Sequence, residues 1–156
     1  MTINANPSIP FTASAYAQNQ AELTRLTKLR REVVERLKTA REMGDLSENG
    51  AYTYAKFELG TIGRRLRYLK HILANGYVAK VSSQANVANF GRMVTLKNAT
   101  RELTFLLVSE HEANPTQHKF SLQSPIGQAT QGKRAGEEIE VTTPAGKVKY
   151  TVINVK

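Results

Sequence analysis

The chain contains no cysteine and no tryptophan, three histidines, and a single aspartate among its 156 residues. Without cysteine there are no disulfides and no thiolate metal sites, and nothing argues for an oxidising compartment. His71, His111 and His118 are scattered, none with a partner at metal-ligand or catalytic-triad spacing, and they read as surface or hydrogen-bonded side chains. The apolar runs are far too short to span a bilayer. Met1 to Pro10 lacks a basic segment leading into an apolar one, so no signal peptide is visible and a cytoplasmic location is expected. No phosphate-binding glycine loop, dinucleotide fingerprint or nucleophile elbow occurs. Among ordinary catalytic groups, that leaves carboxylates.

Charge is the first positive signal. Lysine and arginine number 22 against 13 acids, a formal excess of +9. Positions 1–80 carry 13 basic and 7 acidic residues, and positions 81–156 carry 9 and 6. Such a balance favours a polyanionic partner, either a nucleic acid or an acidic protein face. A basic surface kept for solubility accounts for the same numbers.

Two periodicities divide the chain. From Thr12, a candidate N-cap, to Gly44 the alternating three- and four-residue spacing places Tyr16, Asn19, Leu23, Leu26, Arg30, Val33, Leu37 and Ala40 on one stripe. Asn19 and Arg30 interrupt it, and Arg30 reads as a register device. After a short polar link, Tyr52, Ala55, Leu59, Ile62, Leu66, Leu69 and Leu73 repeat the pattern up to a stop at Asn75-Gly76. Two such stripes predict an antiparallel coiled-coil hairpin with arms of about 45 Å. From Val78 onward the segments become short and β-branched or alternating: Met93–Leu96, Leu103–Val108, Phe120–Leu122, Glu138–Val141 and Val148–Val155, with a hairpin connection across Thr142–Lys147. The fold class is therefore α+β. The expected domains are a hairpin over 1–80 and a small, mostly β domain over 81–156, with a polar linker at about 82–89.

The single aspartate, Asp45, lies in the link between the two helical stripes, three residues before Glu48. That spacing fits a capping box, and acids at a helix start are also favoured by the helix dipole, by about 0.3–1 kcal/mol each. The same two carboxylates, presented at the end of a long rod, can deliver oxygen ligands to a distant divalent cation. Two are too few for a tight site of their own, so a partner would have to complete it. Lys38, Arg41, Lys56, Arg64, Arg65 and Arg67 flank the bend, as befits a place where a nucleic-acid backbone meets a metal ion, or simply a solvated coiled-coil face.

The stretch Ala40-Arg41-Glu42-Met43-Gly44-Asp45-Leu46-Ser47-Glu48-Asn49, followed by Tyr52 and Gly60, resembles the tip signature of the bacterial Gre transcript-cleavage factors. Ser121 to Ala129, Gly132-Lys133 and Thr143 to Gly146 fall in the order and spacing of that family's C-terminal domain, so the resemblance runs from about Phe11 to Val155. It implies an N-terminal coiled-coil hairpin and an FKBP-like C-terminal domain. The implied partner is RNA polymerase, with the C-terminal domain docking at the rim of its secondary channel and the hairpin entering it. By motif position, Asp45 and Glu48 would assist the Mg²⁺ of the polymerase active site in cutting backtracked RNA. Arg41 and Lys56 would contact the displaced 3′ RNA, with Asn49 and Tyr52 in the same polymerase- and RNA-binding region, and Ser124, Pro125, Ile126 and Gly127 would belong to the docking domain. The resemblance implies no metal or cofactor bound by the chain alone, no membrane, a monomer, and an accessory factor rather than an enzyme. The chain has Ala51 where the family commonly carries a third acid.

Three functional readings follow: a factor that stimulates RNA cleavage, a channel-binding regulator whose acids only cap a helix, and a basic coiled coil that binds nucleic acid directly.

Overall fold

The computed structural model describes residues 6–44, 49–81 and 83–156, and it separates into two compact units. The first is the helical hairpin, Ser14–Tyr77 together with the segment ending at Ser8. The second takes in Ile9–Ala13 and Val78–Lys156.

Within the hairpin unit, α1 (Ala13–Glu42) runs 30 residues and α2 (Gly50–Ala74) runs 25. At 1.5 Å per residue these are about 45 and 38 Å long. Most of the buried residues follow the predicted stripes, Leu26, Val33 and Ala40 on α1 and Ala55, Ile62, Leu66, Leu69 and Leu73 on α2, while Ala15 and Ile72 are buried off them. Arg30 departs from the expectation. Its side chain is exposed, and the half-buried Leu29 stands beside the seam instead. A guanidinium at a seam position swings to the flank, where it keeps its water, because burying it unpaired is costly. At the far end of the arms, Ser8 N–H donates to the Asn75 carbonyl (2.9 Å), and Asn75 N–H closes α2 onto His71 (3.2 Å).

The second unit is built on a five-stranded sheet in the order β5-β4-β3-β7-β6, from β3 (Met93–Lys97), β4 (Glu102–Val108), β5 (Lys119–Ser121), β6 (Glu138–Thr143) and β7 (Gly146–Val155). All neighbours are antiparallel except β4 and β5. One face buries Val94, Leu96, Phe105, Leu107, Ile139, Val141, Tyr150 and Val152 by alternation, and a register shift in the β3–β7 pairing brings Val155 onto the same face. The Thr142–Lys147 connection is a tight hairpin with Thr143 opposite Gly146, as predicted. Two short strands at the boundaries of the helical region, β1 (Ile9–Phe11) and β2 (Gly76–Val78), were not foreseen. Neither was the parallel β4–β5 pairing, nor the one-and-a-half-turn α3 (Pro125–Thr130). Within the stretch expected to be linker, Ala88 is fully buried and exchanges hydrogen bonds with Lys133 and Gly132 (2.8 and 2.7 Å), so that part of the stretch is built into the β unit.

Candidate functional site

At the link end of the hairpin, α1 stops as Gly44 takes φ +122°, a left-handed conformation that an L side chain rarely adopts. The chain re-enters helix at Gly50 with Asn49 as the N-cap. The Asn49 Oδ1 accepts from Tyr52 N–H (3.1 Å), while its Nδ2 donates to the carbonyl of Ala40 on the other helix (2.7 Å). One amide thus caps α2 and ties it to the last turn of α1. A cap of this kind is worth about 1 kcal/mol.

This corrects the capping-box expectation. A box led by Asp45 would start the helix at Leu46, four residues ahead of the observed first residue, and Asn49 holds the cap position instead. Asp45 and Glu48 themselves lie outside the described residues. Tyr52 is half-buried in the first turn of α2, and both ends of the Asn49 amide are committed within the hairpin.

Arg41 and Lys56 are exposed, and neither has an ion pair among the described residues. Each follows a seam alanine by one residue (Ala40 and Ala55), so in an antiparallel pair both project to the same flank of the hairpin. The opposite flank is neutralised. Arg36 lies 3.0 Å from the Glu58 carboxylate, and Arg65 grips Glu22 with two nitrogens at 2.8 and 2.7 Å. The hydrogen bond from Arg65 holds the Glu22 carboxyl below its ordinary range and raises the guanidinium in turn. Of the other cations noted near the bend, Lys38 pairs with Glu35 (2.9 Å) and Arg64 donates to the Thr61 hydroxyl (3.1 Å). Beside the Arg36–Glu58 pair, a mainly apolar groove of about 420 Å³ is walled by Ala40, Ala51 and Ala55, with exposed Met43 and Tyr54 at its edges.

In the β unit, the Ser124–Gly127 stretch has a clear local cause. Ser124 caps α3 by accepting from Gly127 N–H (3.1 Å) and donates to the Ser121 carbonyl (2.6 Å), and Pro125 takes the first turn, where its missing N–H costs nothing. Ile126 packs against the sheet core. Gly127 is buried so tightly that a Cβ there would come within 2.0 Å of the Ser121 carbonyl oxygen. The motif builds α3, leaving Pro125 and the neighbouring Gln123 and Gln128 exposed.

Sequence reasoning missed Glu112. Its nearly buried carboxylate accepts from the Thr12 N–H (3.1 Å) and Thr12 hydroxyl (2.7 Å), with Lys119 at 3.4 Å, so Thr12 is anchored by an acid 100 residues away. No local pattern announces so distant a partner. Among the described residues, no group of three or more histidines and acids is placed to hold a metal, and no helix is long and apolar enough to cross a membrane.

A capped helical hairpin followed by a small mixed sheet is a two-part plan, and both parts match transcription elongation factors. The model of the N-terminal region of transcription elongation factors matches residues 9–78, and that of the GreA/GreB C-terminal region matches residues 83–156. Transcription elongation factor GreA of Thermosipho africanus (strain TCF52B) is 40% identical over 152 residues, covering 96% of this chain and 97% of the relative. GreA of Roseiflexus castenholzii (strain DSM 13941 / HLO8) is 37% identical over 150 residues, covering 94% and 96%. The crystal structure of GreA factor homolog 1 (Gfh1) of Thermus thermophilus aligns over 96% of this chain and 99% of that one, at 27% identity and a TM-score of 0.46, too low to add to the argument. The chain belongs to the GreA/GreB family of transcription elongation factors.

Proposed function

We propose that this elongation factor binds RNA polymerase as a single copy and stimulates the polymerase's own cleavage of backtracked RNA. In this reading the β unit docks at the mouth of the secondary channel through the surface around Ser124–Gly127, and the hairpin enters the channel. Asp45 and Glu48 offer carboxylate oxygens to the Mg²⁺ of the polymerase active site. When bound, that ion lowers the pKa of an attacking water and offsets charge on the scissile phosphate. Arg41 and Lys56, exposed on one flank near the bend, attract the phosphates of the displaced 3′ segment. Asn49 acts as a positioning residue, fixing the two ends from which the Gly44–Asn49 link is hung.

The observation that carries the reading is the Asn49 cap. With the N-cap of α2 supplied from Asn49, helix capping no longer explains why the chain places its single aspartate in the link. Family membership supplies the context of transcription elongation. The test is cleavage of the RNA 3′ end in stalled, backtracked polymerase complexes, comparing wild type with Asp45→Asn and Glu48→Gln. Wild type should accelerate shortening, and each variant should lose the acceleration while binding polymerase as tightly. If wild type binds without accelerating cleavage, the chain is a channel-binding regulator. If it binds bare RNA equally well without polymerase, it is a nucleic-acid-binding coiled coil.

A further inference from the structure

A second feature lies midway along the hairpin, on the flank that carries Arg41 and Lys56. Arg30 and Arg31 of α1 and Arg67 and Lys70 of α2 converge with Thr27, Gly63 and Leu66 on one groove of about 590 Å³. No carboxylate lines it, and none of the four cations has an ion pair among the described residues. Like charges gathered from two helices repel one another, and the hairpin has the acids to prevent this, since it pairs Arg36 and Arg65 on the other flank. The cluster therefore calls for an anion from outside. Gly63 leaves the floor open, with nothing within 4 Å of the position a Cβ would take, and the buried Leu66 closes the groove from below. The lining spans Thr27–Arg31 on one helix and Gly63–Lys70 on the other, about 6 and 10 Å along their axes. That is compact, and no aromatic side chain lines it. Sites for single-stranded nucleic acid join cations to rings on which bases stack, and here there is no ring.

We propose that this groove binds a compact oligophosphate, with the planar forks of Arg30, Arg31 and Arg67 spanning adjacent phosphate groups and Lys70 adding a point charge. The shared chemistry is a chain of at least three phosphates, either free or as the tail of a nucleoside triphosphate. The site is separate from Arg41 and Lys56, and its existence does not depend on cleavage stimulation or on polymerase.

The experiment is calorimetric titration of the full chain, without polymerase, with tripolyphosphate, a nucleoside triphosphate, orthophosphate and a single-stranded RNA oligonucleotide at near-physiological salt. Tripolyphosphate should bind saturably at one equivalent, at least about ten-fold tighter than orthophosphate. Equal affinity for the nucleoside triphosphate means that only the phosphates are read; higher affinity identifies a nucleotide as the better source. Arg67→Gln should weaken binding about ten-fold, while Arg41→Gln should leave it unchanged. Gly63→Leu, which fills the groove without altering charge, should weaken it as strongly as Arg67→Gln. Helicity by circular dichroism confirms that each variant folds, and amide chemical shifts in the wild type, moving at residues 27–31 and 63–70, give a readout that needs no variant. Three results overturn the proposal: no saturable binding, Gly63→Leu binding like wild type (a diffuse counter-ion cloud), or RNA binding more tightly than tripolyphosphate through the same residues.

Discussion

The two flanks of the hairpin are built from the same two helices and treat charge in opposite ways. On one, Arg36 and Arg65 each reach across to a glutamate, Glu58 and Glu22, and neutralise it. On the other, Arg30, Arg31, Arg41, Lys56, Arg67 and Lys70 face solvent, and none of them forms an ion pair among the described residues. Exposed pairs of the first kind contribute about 0–1 kcal/mol, so stability does not demand them everywhere. The formal excess of +9 is thus not an even coat, since part of it is sorted onto a single face. Sorted charge serves association, which is how a rod-shaped arm would present itself to phosphates.

Both flanks depend on the seam between them, so the most severe test is there. Leu66→Asp should bury an unpaired carboxylate and cost several kcal/mol, read as loss of hairpin helicity in thermal melts by circular dichroism. In the β unit, Gly127→Ala should cost about 3 kcal/mol, at the top of the overpacking range, because the new methyl meets the Ser121 carbonyl oxygen at 2.0 Å. Urea titration of the sheet signal measures it, and the hairpin should be unaffected. Asn49→Ala should remove about 1 kcal/mol and speed amide exchange at residues 50–53, with both flanks retaining their charge pattern.

Smaller effects separate the flanks themselves. Arg41→Gln and Lys56→Gln should each lower the salt sensitivity of RNA engagement in polymerase complexes by about one phosphate contact without changing thermal stability. Arg36→Gln, on the paired flank, should leave that salt slope alone. Glu22→Gln should cost less than about 1 kcal/mol, since the pair is partly exposed and screened. Because the Glu22 carboxyl is held below its ordinary value in the folded state, its contribution is complete above the unfolded carboxylate pKa and is lost as pH falls through the folded one. Thermal melts of wild type and Glu22→Gln should therefore converge as the solution is acidified.

Much of the fold was legible because it is periodic. Heptad spacing marked both arms, and alternation marked the five strands of the main sheet and the Thr143–Gly146 hairpin. The single aspartate drew attention to the link between the helices. What failed was local choice among plausible partners. Asp45-Leu46-Ser47-Glu48 has capping-box spacing, yet Asn49 takes the cap, where its one amide reaches both Tyr52 N–H and the Ala40 carbonyl. The short α3, opened by Ser124-Pro125 and packed closely against Ser121 at Gly127, is too brief for any periodicity to announce it.

The sequence by itself determined the two-part architecture, the seam and the basic excess, since periodicity and composition are properties of the chain read in order. Only the tertiary structure decided that Arg30 leaves the seam for the flank, that Arg30 and Arg31 meet Arg67 and Lys70 across a groove, and that Glu112 anchors Thr12. These depend on which residues distant in the chain are brought within hydrogen-bonding or Coulombic reach, and spacing along one helix does not fix how far its neighbour is shifted along the common axis.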